Sequence, residues 1–145
     1  MSDYASKRLR AVIARRANGR CEYCVSPVIF CIDPFVAEHI HPVAKGGLTI
    51  ADNLAFACMG CNGYKQDKTE AYDTISQTLV PLYHPRVHLW HEHFAWNEAF
   101  THLVPLTAIG RVTLSELHLN REGVINVRIL LMLAGLHPPR QWCPP

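Results

Sequence analysis

Between residues 5 and 18 the apolar positions Leu9, Val12 and Ile13 fall at the i, i+3, i+4 spacing of one helix face, and Asn18-Gly19 supplies a stop. The next apolar runs are shorter. Residues 36 to 43 and 49 to 57 are β-prone pieces joined through Pro42 and Lys45-Gly46-Gly47, with a turn at Ala51-Asp52-Asn53 inside the second. Residues 62 to 72 are rich in Lys, Gln and Glu and predict a helix, so the local order is strand, loop, strand, helix. Beyond Asp73, residues 81 to 86 form a turn-rich crossing, and residues 94 to 97 and 102 to 106 would pair as a hairpin around Glu98-Ala99. Thr113-Leu-Ser-Glu116 fits a capping box that would start a helix, with Leu114 and Leu117 facing inward. A last helix from residue 122 to 134 would use Val124, Ile125, Arg128 and Leu131 and stop at Gly135, before Pro138-Pro139.

The pattern contains no repeat and no low-complexity linker. At 145 residues it predicts one structural domain: residues 1–75 hold the N-terminal helix and a central unit, and residues 76–145 pack on it as an extension. With 49% apolar and 18% charged residues the chain is an ordinary globular one. A membrane span is not expected, because the longest apolar stretch, residues 124 to 136, is short and interrupted by Asn126 and Arg128. No signal peptide is evident, so the expected compartment is cytoplasmic.

A net charge of +2 says little until its distribution is considered. Lys7, Arg8, Arg10, Arg15, Arg16 and Arg20 stand against Asp3 alone in the first twenty residues. That asymmetry suits a polyanion as well as it suits a solvated helix face. Arg8, Arg15, Arg16 and Arg20, with Lys45, are the candidate nucleic-acid contacts, joined by Arg86, whose guanidinium fork matches phosphate oxygens.

Six cysteines change the picture further. Cys21-Glu-Tyr-Cys24 and Cys58-Met-Gly-Cys61 each place two thiols at i and i+3, the spacing with which one turn supplies half of a tetrahedral zinc site. The 33 residues between the pairs contain the strand-loop-strand unit, so the metal would clamp the base of that hairpin. In a reducing compartment, zinc is favoured over two disulfides or a redox pair. Cys31 reads as a small buried side chain and Cys143 as a tail thiol; a bridge between them has no support.

Between the cysteine pairs lie the groups that phosphodiester hydrolysis needs: a base, a cation at the phosphate and rigid placement. His39 is the natural base. Glu38 and Asn62 offer oxygens to a hard cation, and Mg²⁺ suits such a set. Glu38 and His39 point to opposite sides of an extended segment, so they serve one site only if the strand ends there. Asn53 would bridge backbone groups across the loop and fix His39, and Lys65 would neutralise a phosphate; Asn62 could equally cap its helix.

Glu38-His39-Ile40-His41-Pro42, Gly46-Gly47, Asn53-Leu54 and Cys58-Met59-Gly60-Cys61-Asn62-Gly63-Tyr64-Lys65 together resemble the HNH endonucleases that carry four zinc-binding cysteines. The resemblance covers roughly residues 18 to 70. It implies an α+β fold with a ββα-metal core stapled by a four-cysteine zinc site, a basic N-terminal helix and a mixed C-terminal extension with helices. It also implies a DNA endonuclease that leaves 5′-phosphate and 3′-hydroxyl ends. His39 would be the general base, Glu38 and Asn62 ligands of a catalytic Mg²⁺ or Mn²⁺, and Asn53 the loop-orienting residue. Three positions depart from the commonest pattern: Glu38 replaces Asp, Asn62 replaces His, and His41 stands where an apolar residue is usual.

His84, His88, His91 and His93 suggest a second metal site, but Pro85 interrupts the helix that His84 and His88 would need for joint ligation. His84 and Arg86 read better as phosphate contacts, and Phe94, Trp90 and Trp96 as core. Two other functions compete with the nuclease. A zinc-stabilised nucleic-acid-binding module would not need the Glu38, His39, Asn53 and Asn62 set, and a thiol redox protein would not need two pairs flanking an acid-histidine centre.

Overall fold

The computed structural model describes residues 4–139, so Cys143 and any bridge to it lie outside the described residues. The first helix, α1, spans Lys7–Arg16. It starts where the Ser6 hydroxyl accepts from the Leu9 N–H at 3.1 Å and ends at Asn18 and Gly19, both with positive φ. Ile13, fully buried, packs with Leu54 and Ala5, which seats α1 against the central hairpin.

That hairpin pairs β1 (Val36–His39) with β2 (Leu54–Ala57), antiparallel, with Val36 opposite Ala57 and His39 opposite Leu54. Helix α2, Met59–Lys65, follows directly and packs on β1. Strand, loop, strand and helix therefore occur in the expected order, and the mixed α+β architecture is the one expected of a ββα core.

Two boundaries correct the sequence reading. The helix expected over residues 62–72 stops at Lys65, because Gln66 turns to φ 53°, and Glu70–Asp73 leaves it as β3 to pair with β4, Thr78–Pro81. Tertiary pairing overrides a modest helix propensity here. Asp73 fixes the turn: it accepts from the Ser76 N–H at 2.8 Å and holds the Arg111 guanidinium with two bonds of 2.9 Å.

Helix α3 (Trp90–His93) leads into the hairpin of β5 (Phe94–Trp96) and β6 (Leu103–Pro105), close to the expected one. The second correction is α4, Ala108–Glu116, which is capped by Thr107 rather than by Thr113. Thr113 sits mid-helix and fully buried, its hydroxyl donating to the Ile109 carbonyl and accepting from the Tyr83 N–H, both at 2.7 Å. Helix α5, Glu122–Leu133, matches expectation and buries Val124, Arg128 and Leu131. One core cluster runs from Cys21 and Tyr23 through Ala57 to Tyr83, Trp90, Phe94 and Leu119, so the extension and the hairpin share their interior.

Candidate metal centre and active site

The two cysteine turns meet at the base of the β1–β2 hairpin. Cys21, Cys24, Cys58 and Cys61 are buried, and their sulfurs all lie within 4.8 Å of one another. Cys24 Sγ and Cys58 Sγ are 3.7 Å apart, far beyond a disulfide bond. Zinc–thiolate bonds of about 2.3 Å in a tetrahedron require sulfurs about 3.8 Å apart, so the donor set fits a structural zinc ion. Cys58 also caps α2, its sulfur accepting from the Cys61 N–H at 3.4 Å. Cys31 stays apart, its thiol donating to the Pro27 carbonyl at 3.3 Å.

Four thiolates around a divalent ion leave two negative charges, and the extension answers them. Arg121 Nη2 lies 3.5 Å from Cys58 Sγ and 3.7 Å from Cys61 Sγ, with Nη1 3.6 Å from Cys61 Sγ. Arg128, 2% exposed, donates to the carbonyls of Leu119, Thr101 and Cys24. The sequence reading missed Arg121. The Leu119-Asn120-Arg121 run is visible, but nothing local in it points to a sulfur 60 residues upstream.

At the other end of the hairpin, pleating sends Glu38 and His39 to opposite sides. Glu38 projects into the interior, 3% exposed. One of its oxygens lies 2.6 Å from Lys65 Nζ and the other accepts from the Tyr23 hydroxyl at 2.7 Å. Burial pushes this carboxyl upward, and Lys65 and Tyr23 pull against that shift. Lys65 is 1% exposed and also donates to the carbonyls of His39 (3.2 Å) and Ile40 (3.1 Å). All three of its N–H groups serve the end of β1, so its position is that of an internal strut.

His39 ends β1, and its Nε2 is 2.9 Å from Thr49 Oγ1. The loop between the strands is tied by Asn53. Its Oδ1 accepts from the His41 N–H, and its Nδ2 donates to the carbonyls of His41 and Leu48, all at 2.9 Å. Gly46 turns through φ 91°, and a Cβ on Gly47 would overlap the His41 carbonyl, which explains the Gly pair. Asn62, on the first turn of α2, is half-buried, and its side chain makes no hydrogen bond to a described residue.

The expected polyanion contacts separate into two groups. Arg8, Arg15 and Lys45 are exposed. Arg16 instead binds the carbonyls of Ala51 (3.0 Å) and Leu54 (2.6 Å), and Arg20 binds that of Val25 at 3.0 Å. Arg86 is ion-paired with Glu22, a fully buried acid that also accepts from the Phe56 N–H at 2.7 Å. The Arg16 and Arg86 guanidiniums fasten the hairpin to its neighbours. Trp90 and Phe94 are core, as expected.

A ββα unit with four converging cysteines at one end and an acid-histidine pair at the other defines a class of zinc-stapled fold. Within it, residues 21–68 match the family model described as HNH endonuclease. That span holds both cysteine pairs and Glu38, His39, Asn53 and Asn62. No curated protein and no solved structure matches the chain. An HNH domain points to nuclease or nucleic-acid-binding function with a structural metal such as zinc. No helix among the described residues is long and apolar enough to cross a membrane.

Proposed function

We propose that this protein is a metal-dependent endonuclease that hydrolyses phosphodiester bonds in DNA, with His39 as the general base. The observation that carries this reading is the bracing of His39. Its ring is held by Thr49, its carbonyl by Lys65, and the following loop by the three bonds of Asn53. A base fixed on every side is what proton transfer in a near-attack geometry requires. Thr49 Oγ1 holds the ring at Nε2, and the imidazole takes the proton of the attacking water. Arg8, Arg15 and Lys45 are the exposed cations that would meet the DNA backbone.

Glu38 and Asn62 are the oxygen donors for a Mg²⁺ or Mn²⁺ ion. Of these two donors the Asn62 amide is uncommitted among the described residues, whereas both Glu38 oxygens are turned inward and already serve Tyr23 and Lys65, so an ion there would have to share the carboxylate with them. When bound, the ion would polarise the phosphate and stabilise the leaving oxygen. The cytoplasm remains the proposed compartment, following from the four thiols that zinc needs reduced.

A plasmid nicking assay with Mg²⁺ or Mn²⁺ tests the reading: wild type should convert supercoiled DNA to open circles, and His39→Ala should not. Equal rates for the two proteins would overturn the assignment. The second reading is a zinc-stabilised nucleic-acid-binding module without catalysis. What favours it is the engagement of both Glu38 oxygens inside the protein, and duplex binding without any nicking would establish it.

A further inference from the structure

Beside the end of β1 lies a groove of about 250 Å³ that the steps above leave unused. One side is formed by Ile40, His41 and Lys65, the other by Tyr83, His84 and His88 of the extension. The groove therefore begins with the two residues that follow His39 in the chain.

Backbone hydrogen bonds set the two histidines of the extension. The Arg86 N–H donates to His84 Nδ1 at 3.2 Å, and the His84 N–H donates to His88 Nδ1 at 2.9 Å. A ring nitrogen that accepts cannot carry the proton, so each neutral ring bears its hydrogen on Nε2. Burial holds both rings below the ordinary histidine range, which keeps this tautomer at neutral pH. Each ring is thus a fixed N–H donor. Among the described residues, no acidic side chain lines the groove. Phosphate oxygens only accept, and two donors in a groove whose lining holds no carboxylate, with Glu92 acting on His88 from outside that lining, suit them better than a base edge, which mixes donors with acceptors.

We propose that His84 and His88 bind, through Nε2–H, a backbone phosphate of the DNA strand adjacent to the phosphate cut at His39. This subsite rests on the nuclease reading. It gives the extension a role in substrate placement, and it predicts contacts that are neutral and therefore release no counterion.

Binding of a fluorescein-labelled duplex to the full chain, in a His39→Ala background that prevents cleavage, tests it. His84→Leu and His88→Leu should each weaken binding by roughly 3–10-fold, the range of one net hydrogen bond. His84→Gln, which keeps a donor near the Nε2 position, should stay within about twofold of the parent. The salt dependence of binding should keep its slope in the histidine variants, whereas Lys45→Ala should lower it by about one. In the nuclease with His39 intact, His84→Leu should raise KM and leave kcat within about threefold. Zinc content and melting temperature report the fold. Folded Leu variants that bind as tightly as the parent would overturn the subsite while wild-type nicking stands. Loss in His84→Gln equal to that in His84→Leu would reduce the ring to a packing role and also overturn it. Two zinc ions per chain, falling to one in the Leu variants, would reassign the rings as metal ligands. A parent that binds no duplex at any salt concentration would bring down subsite and nuclease reading together.

Discussion

Lys65 Nζ lies 2.6 Å from Glu38 Oε1, with both side chains at most 2% exposed, and the same ammonium reaches the carbonyls of His39 and Ile40. One cation thereby ties α2 to the strand end that carries the base. A buried pair of this kind need not stabilise the fold relative to apolar residues, but breaking it leaves an uncompensated charge. Lys65→Met should lower unfolding free energy by about 3–5 kcal/mol in chemical denaturation. Adding Glu38→Gln to it should recover much of that loss. A loss below about 1 kcal/mol for the single variant would show the ammonium to be dispensable.

Arg121 should govern how firmly the zinc is held. Its guanidinium donors lie 3.5–3.7 Å from Cys58 and Cys61 Sγ, within direct reach of both thiolates. Outer-shell partners of metal ligands change affinity by roughly 10–100-fold, and Arg121→Ala should speed zinc transfer to a colorimetric chelator within that range. Arg121→Lys should recover only part of it, since a single ammonium cannot reach both sulfurs in the same way. Unchanged transfer rates would separate the extension from the metal.

These relationships show where sequence stopped being informative. The β1–β2 hairpin, the cysteine pairs and α5 were legible because each is written locally, as alternating β-prone residues, i, i+3 thiols or an apolar face ending at Gly135. The end of α2 was not, since the pairing of Glu70–Asp73 with Thr78–Pro81 depends on Asp73 meeting Arg111, a contact made across 38 residues. Thr113 resembles a cap in sequence but lies mid-helix, because Thr107 starts α4 six residues earlier, where Gly110 passes close to the His93 carbonyl. Of the basic residues, sequence could not tell Arg8 and Arg15 from Arg16 and Arg86. Only the fold brings Glu22 to Arg86 and two carbonyls to Arg16.

Acid should weaken the fold through its buried histidines. Burial lowers the pKa of His84, His88, His93 and His137. The unfolded chain binds protons near pH 6.5 that the folded rings refuse, so stability is full above that pH and falls as pH drops through it toward the folded values. Melting temperature should decline from about pH 7.5 to about pH 5.8, with zinc content followed in parallel to show that the metal stays bound. His93→Gln should flatten the decline. A melting temperature constant across that interval would mean that the rings titrate alike folded and unfolded.

Asn53 offers the sharpest test of loop geometry, because its amide matches one donor and two acceptors at once. Its Oδ1 takes the His41 N–H while its Nδ2 serves the His41 and Leu48 carbonyls. Asn53→Asp keeps the size and the acceptor but sets a carboxylate oxygen against two carbonyls, so the loop must shift. Because Asn53 is half-buried at the surface end of β2, the zinc end should hold and the melting temperature should move little. A displacement of about 1 Å at a reacting group costs on the order of 10²-fold in rate. Nicking by Asn53→Asp should therefore fall about 100-fold in kcat, with DNA binding changed far less. Wild-type turnover in this variant would show that the loop holds His39 without its amide, leaving Thr49 and Lys65 as the braces that matter.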